Sequence, residues 1–180
     1  MSDARYSSWI RHLHWLVFVL VTCALILIYL HEWTPRGSAL HVEARWAHTQ
    51  FGIAVLLVML PRLFIRTRAV APPITPAPPR WQHWLATLVH VALYALLFGT
   101  PLLGITTMAL MGHPWSFLGI PMPHTAEPNR DLGRQLMHFH KTCGNVLMYL
   151  AAAHAVAALF HHFFQRDDTL KRMLPPGRRP

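Results

Sequence analysis

"MHFHKTCGNVLMYLAAAH", residues 137–154, decides the fold. The stretch is apolar enough to cross a membrane, yet it carries His138, His140 and His154. An ionisable side chain inside a span is costly and marks a functional position by default. Fourteen residues separate His140 from His154. At 100° per residue they turn through about 1400°, roughly 40° short of four full turns. The two imidazoles therefore share one helix face. At 1.5 Å rise per residue they stand about 21 Å apart along the axis. One helix thus offers a ligand at each of two membrane depths.

The rest of the chain has the composition that such a helix needs. Its 180 residues suit one domain, 1–180, and they are 53% hydrophobic and only 13% charged. Soluble domains carry about 25% charged residues, so the class is integral membrane protein. The net charge of +9 would suit nucleic acid. However, the Lys and Arg residues gather between apolar runs and form no stripe with aromatic residues, so no nucleic-acid partner is expected. Cys23 and Cys143 lie inside apolar runs and read as free thiols. No C-x-x-C-H occurs, which excludes covalent c-type haem. The opening "MSDARYSSWIRHLHW" lacks a small-residue cleavage site, so the apolar run behind it reads as a span and not as a cleaved leader.

Four segments reach the length of about 20 apolar residues that a span requires. They run over about 13–30, 46–65, 84–111 and 137–164. Pro101 is expected to kink the third. Residues 31–45 read as a short polar loop, 66–82 as a proline-rich extended linker, and 112–136 as the longest loop. One side of the membrane collects Arg5, Arg11, Arg62, Arg66, Arg68, Arg80, Arg166, Lys171, Arg172, Arg178 and Arg179. The other collects only Arg36, Arg45, Arg130, Arg134 and Lys141. The positive-inside rule then puts both termini in the cytoplasm.

Position sorts the fourteen histidines. His12, His31, His41, His83, His113 and His124 fall in loops or at ends and read as solvated interfacial groups. His14, His48, His90, His140 and His154 fall within spans, with His138, His161 and His162 nearer the edges. Depth pairs His48 with His140 on the outer side and His14 with His154 on the inner side. Haem iron takes axial imidazoles, and a four-helix bundle can hold the flat ring. The expected fold is therefore all-α, an integral membrane four-helix bundle holding two non-covalent b haems. Its iron ligands are His14, His48, His140 and His154. Zinc would want about four ligands around one ion, whereas these histidines separate into two levels. His90 stands near the depth of His14 and is the alternative partner of His154. Gly52, Gly144 and Ala151–Ala153 leave room for a ring, or else serve close helix packing.

Three stretches carry a resemblance: "HWLVF" at 14–18, "HPWSFLGIPMPHTAEPN" at 113–129 and "HHFFQRDDTLKRMLP" at 161–175. With the histidine spacing, they resemble the bacterial cytochrome b561 family, and most of all its four-helix, inner-membrane, superoxide-oxidising branch. The resemblance implies two b haems on the pairs above, within the lipid of the bacterial inner membrane. It implies that superoxide is oxidised to dioxygen at the periplasmic side and that ubiquinone receives the electron. A cationic outer rim of Arg36, Arg45, Arg130, Arg134 and Lys141 would steer such an anion. Arg11 and His161 are candidate quinone contacts, and Trp15 could pack on haem or quinone. The bland alternative for all three is interfacial anchoring. The favoured reading is thus an oxidoreductase. Its rivals are a non-enzymatic electron carrier serving a partner redox protein, and a small transporter with no cofactor.

Overall fold

The computed structural model describes residues 5–112 and 114–175. His113, Arg178 and Arg179 lie outside the described residues. Four helices carry the chain: α1 (Ser8–Trp33), α2 (Ala39–Arg68), α3 (Arg80–Leu110) and α4 (Arg130–Phe160). Each is long and apolar enough to cross a membrane. Even α1, with 26 residues, extends about 39 Å against a hydrocarbon core of about 30 Å. We call the end with the α1–α2 connection the outer end, and the opposite end the inner end.

The connections are shorter than hydropathy alone suggests, because caps set the helix ends. Between α1 and α2 only residues 34–38 are non-helical, where the sequence reading expected a loop over 31–45. Ser38 Oγ accepts the His41 amide at 3.2 Å and starts α2 early. Asn129 Oδ1 accepts the Leu132 amide at 3.1 Å, and Asp131 in the first turn complements the helix dipole of α4. Helix α2 runs on through Pro61, and α3 runs unbroken through Pro101.

Backbones approach closely between α1 and α2 and between α3 and α4, less between α2 and α3, and hardly at all between α1 and α4. Two helical hairpins thus stand side by side with space between them. Val17, Val55 and Met59 form the buried centre, backed by Tyr94, Leu97 and Phe98 of α3. Along each helix these residues fall between the outer and inner histidines and form an apolar septum. Elsewhere large side chains such as Phe18, Ile26, Val156 and Phe163 are more than half exposed. Hydrocarbon is the solvent that such helices require.

The outer loop contains a small antiparallel hairpin, β1 (Ser116–Phe117) and β2 (Ile120–Pro121). Leu118 and Gly119 both have positive φ, 49° and 82°, as a two-residue hairpin turn of the I′ type demands. The buried Gln50 of α2 pins it. Its Nε2 donates to the Ser116 carbonyl at 2.9 Å, and its Oε1 accepts the Leu118 amide at 2.8 Å.

At the inner end α4 widens into one π turn, His161–Gln165, and Arg166 reverses the chain at φ 56°. The buried Asp167 carboxylate accepts His161 Nδ1–H at 2.5 Å and the Thr169 amide at 2.9 Å. Burial alone would push its pKa up. The hydrogen bonds from His161 and Thr169 outweigh this and hold it below the usual carboxylate range. Arg172 donates to the Pro72 carbonyl and lies 5.5 Å from the Tyr6 ring. Asp168 accepts the Thr75 amide at 3.0 Å. The tail, the α2–α3 linker and the N-terminal segment thus form one clasp.

Candidate functional site

At the outer level His48 of α2 faces His140 of α4. Their ring centroids are 6.1 Å apart and their planes stand at 85°. His48 Nδ1 lies 2.8 Å from the Ala24 carbonyl of α1, and His140 Nδ1 lies 2.9 Å from the Thr100 carbonyl of α3. A carbonyl only accepts, so each Nδ1 carries the proton and each Nε2 keeps a free lone pair. Metal-ligating imidazoles are oriented by this kind of bond. Gly104 allows the arrangement, because a Cβ there would come within 3.0 Å of His140 Cε1. A Cβ added at Gly52 or Gly144 would meet nothing within 4 Å. These two glycines therefore leave open room and do not mark close helix contacts. With His48 and His140 they line a cavity of about 770 Å³, within the usual range for ligand sites, about 300–1,000 Å³.

Arg36, Arg45, His31 and His41 line the outer part of the same cavity. The cations of the sequence reading separate here. Lys141 also lines the cavity, paired there with Glu32 at 3.1 Å, and Arg134 pairs with Asp131 at 3.3 Å. Arg130 is exposed on the first turn of α4. Arg36 and Arg45 are the two arginines that line the cavity.

At the inner level His14 of α1 faces His154 of α4, with centroids 6.4 Å apart and planes at 79°. His90 of α3 is nearer to His154, at 5.3 Å. Two imidazoles that bind one metal from opposite sides, each through a bond of about 2 Å, set their centroids about 6 Å apart. The His48–His140 and His14–His154 separations match that span, and His90–His154 is too short for it. His90 is also exposed, whereas His14, His48, His140 and His154 are half-buried. Among the described residues no group of three or more His, Cys, Asp or Glu side chains is placed to hold one metal ion.

Sequence reasoning missed one residue. Arg62 of α2 places Nη2 3.1 Å from His14 Nδ1, and its Nη1 donates to the Ile10 carbonyl at 3.3 Å. Its guanidinium lies 5.9 Å from the Tyr94 ring. The sequence reading counts Arg62 only among the cations of the cytoplasmic side. The signal was present, because Arg62 follows His48 by the same fourteen residues that separate His140 from His154.

The remaining candidates gather elsewhere. Trp15 Nε1 donates to the Met173 carbonyl at 2.9 Å, and Arg11 to the Leu174 carbonyl at 3.2 Å. His161 is engaged with Asp167. All three therefore meet at the tail clasp of the inner end, while Trp15 also lies 5.4 Å from the His14 ring.

At the outer level, facing imidazoles held by backbone carbonyls, with open room beside them in a bundle of membrane-length helices, fit haem. They define the class of membrane b-type cytochromes. Comparison with known proteins narrows the class. The model of the family described as prokaryotic cytochrome b561 matches residues 5–176. The chain belongs to that family, as the resemblance in its sequence implied. It is 40% identical over 171 residues to "Cytochrome b561 homolog 1" of Escherichia coli (strain K12), covering 95% of this chain and 97% of the relative. It is 35% identical over 174 residues to "Probable superoxide oxidase CybB" of Yersinia pestis, covering 97% and 98%. With "Cytochrome b561 homolog 2" of Escherichia coli (strain K12) it shares 31% over 185 residues, covering 94% and 91%. The protein is therefore a multi-pass, haem b-binding electron carrier of a bacterial membrane.

Proposed function

We propose that this cytochrome oxidises superoxide at the periplasmic face of the bacterial inner membrane and delivers the electrons to ubiquinone. It does so through two b haems, one held by His48 and His140 and one by His14 and His154. The outer end is then periplasmic and both termini are cytoplasmic, as the distribution of Lys and Arg supports. The observation that carries the reading is the outer cavity. It joins the His48 and His140 imidazoles to Arg36 and Arg45 in one space, so an anion meets positive charge at the ligand pair.

Haem b, when bound, supplies one-electron chemistry between ferric and ferrous iron. The chain supplies the rest. Arg36 and Arg45 raise the local concentration of an anion. His48 with His140, and His14 with His154, would hold the haems, which would supply electron transfer rather than oxygen binding. The septum of Val17, Val55 and Met59 keeps water from the path between the two levels. Arg11, Trp15 and His161 stand at the inner end and are the proposed neighbours of the quinone. The reaction balances as two superoxide anions losing one electron each to become dioxygen, while ubiquinone takes two electrons and two protons to become ubiquinol. The similarity to a probable superoxide oxidase supports the same assignment.

The test is stopped-flow mixing of the purified, haem-loaded protein with superoxide, with and without ubiquinone. The expected result is haem reduction followed by reoxidation only when quinone is present. A protein that stays oxidised under superoxide, yet is reduced by a partner protein or by quinol, would be a relay and not an oxidase.

A further inference from the structure

We propose that Arg62 sets the direction of electron flow, by holding the inner haem at a higher reduction potential than the outer one. The proposal rests on the two-haem reading above. It comes from a contrast between the two levels that the pairing of histidines alone does not show.

At the outer level both imidazoles donate Nδ1–H to backbone carbonyls, those of Ala24 and Thr100. The negative end of a carbonyl makes an imidazole a stronger electron donor and steadies ferric iron. At the inner level the neighbour of His14 Nδ1 is a guanidinium. This group has only donors and stays charged in a protein.

Three helices hold that charge in place: α2 carries it, the Ile10 carbonyl of α1 accepts from it, and Tyr94 of α3 lies beside it. Among the described residues no carboxylate stands within ion-pair distance of Arg62. Among the described residues, Asp167 and Asp168 are the acidic residues of this end, and they are engaged with His161, Thr169, Thr75 and Arg172. One turn before Arg62 stands Met59, which is fully buried. An uncompensated charge at the edge of an apolar septum acts over a low local dielectric, where Coulomb terms are several-fold larger than in water.

The sign follows. A positive charge opposes the gain of positive charge on oxidation, so it favours the ferrous state. With iron on Nε2, the His14 proton moves to Nδ1, and a donor-only guanidinium cannot bond to that edge. Ile10 and Tyr94 still keep the charge nearby. An electron entering at the outer level therefore runs downhill to the inner one.

The experiment is a redox titration of the purified protein, followed by haem absorbance, after haem content has been counted. Fewer than two haems in the wild type would remove the two-haem reading itself, and is read separately. In a His140→Ala background only the inner centre titrates. There, Arg62→Gln is expected to shift the ferric–ferrous equilibrium about tenfold toward ferric, about 59 mV for one electron. Arg62→Lys, which keeps the charge, is expected to stay near the parent. An unchanged or raised potential in Arg62→Gln would overturn the proposal. If Arg62→Gln sheds the haem, Arg62→Lys decides alone, and a tenfold fall in that variant overturns it equally.

Discussion

A histidine in hydrocarbon binds a metal well only if one nitrogen is occupied and the other is free. His48 and His140 meet that condition through the Ala24 and Thr100 carbonyls. His140→Ala is therefore expected to lose one haem of two and about half the haem absorbance, while the inner centre persists. His90→Ala is expected to keep both, because its ring stands too close to His154 for a shared metal. Haem-to-protein ratios of the purified variants check both outcomes. Gly104→Val is subtler. Its side chain would press on His140 Cε1, already 3.0 Å from where a Cβ would lie. A displaced ligand loses about 10–100-fold in affinity when its orientation is lost, so the outer haem is expected to fall away under dilution before the inner one does. Helical arithmetic made the histidines legible, since a period of 3.6 residues fixes face and depth together. Arg62 obeyed the same arithmetic and was overlooked, because an arginine near a helix end reads as a surface charge. Its partners on α1 and α3 are visible only after folding.

At the level of elements, hydropathy located the four spans, while their ends were set by groups that hydropathy ignores. The Ser38 and Asn129 caps add helical turns that are polar enough to read as loop. The outer hairpin was illegible for a related reason. Its turn puts Leu118 at φ 49°, where Asn or Asp before glycine is the usual signal, and its anchor lies on another element. Gln50→Leu removes both anchoring bonds and leaves the Leu118 amide and the Ser116 carbonyl unmatched. The expected cost is about 0.5–1.5 kcal/mol for each bond lost, read as faster hydrogen exchange over 116–121 with the helices unaffected. The inner clasp gives a pH prediction. The folded pKa of Asp167 lies below its unfolded value, so its contribution is present above the unfolded value, about 3.9, and is lost as pH falls through the lower folded value. The tail over 167–174 is expected to stay protected from exchange at neutral pH and to open only below about pH 4. Asp167→Asn is expected to open it at neutral pH.

On the scale of the whole molecule, the two helical hairpins face each other across a space that α1 and α4 leave open, and the charge is unevenly divided between the two ends. A bundle that buried more of its own surface would have no room for a flat cofactor beside His48 and His140. What the outer end retains for recognition is narrower than the five cations counted from sequence, since Lys141 and Arg134 already have carboxylate partners. In the proposed function, the steering of superoxide rests on Arg36 and Arg45 along the outer cavity. Their role is long-range and acts before contact, so it must respond to salt. Steering raises association rates by about 10–1,000-fold and is screened beyond a Debye length of about 8 Å at physiological ionic strength. Changing Arg36 and Arg45 together to Gln is expected to lower the second-order rate of haem reduction by superoxide about tenfold at low salt. The gap between wild type and variant should close as salt rises toward 1 M, where screening reaches about 3 Å. Reoxidation by quinone, proposed for the opposite end, is expected to keep its rate in the same variant. A rate that falls equally at all salt concentrations would instead mean that these arginines shape the outer site by contact.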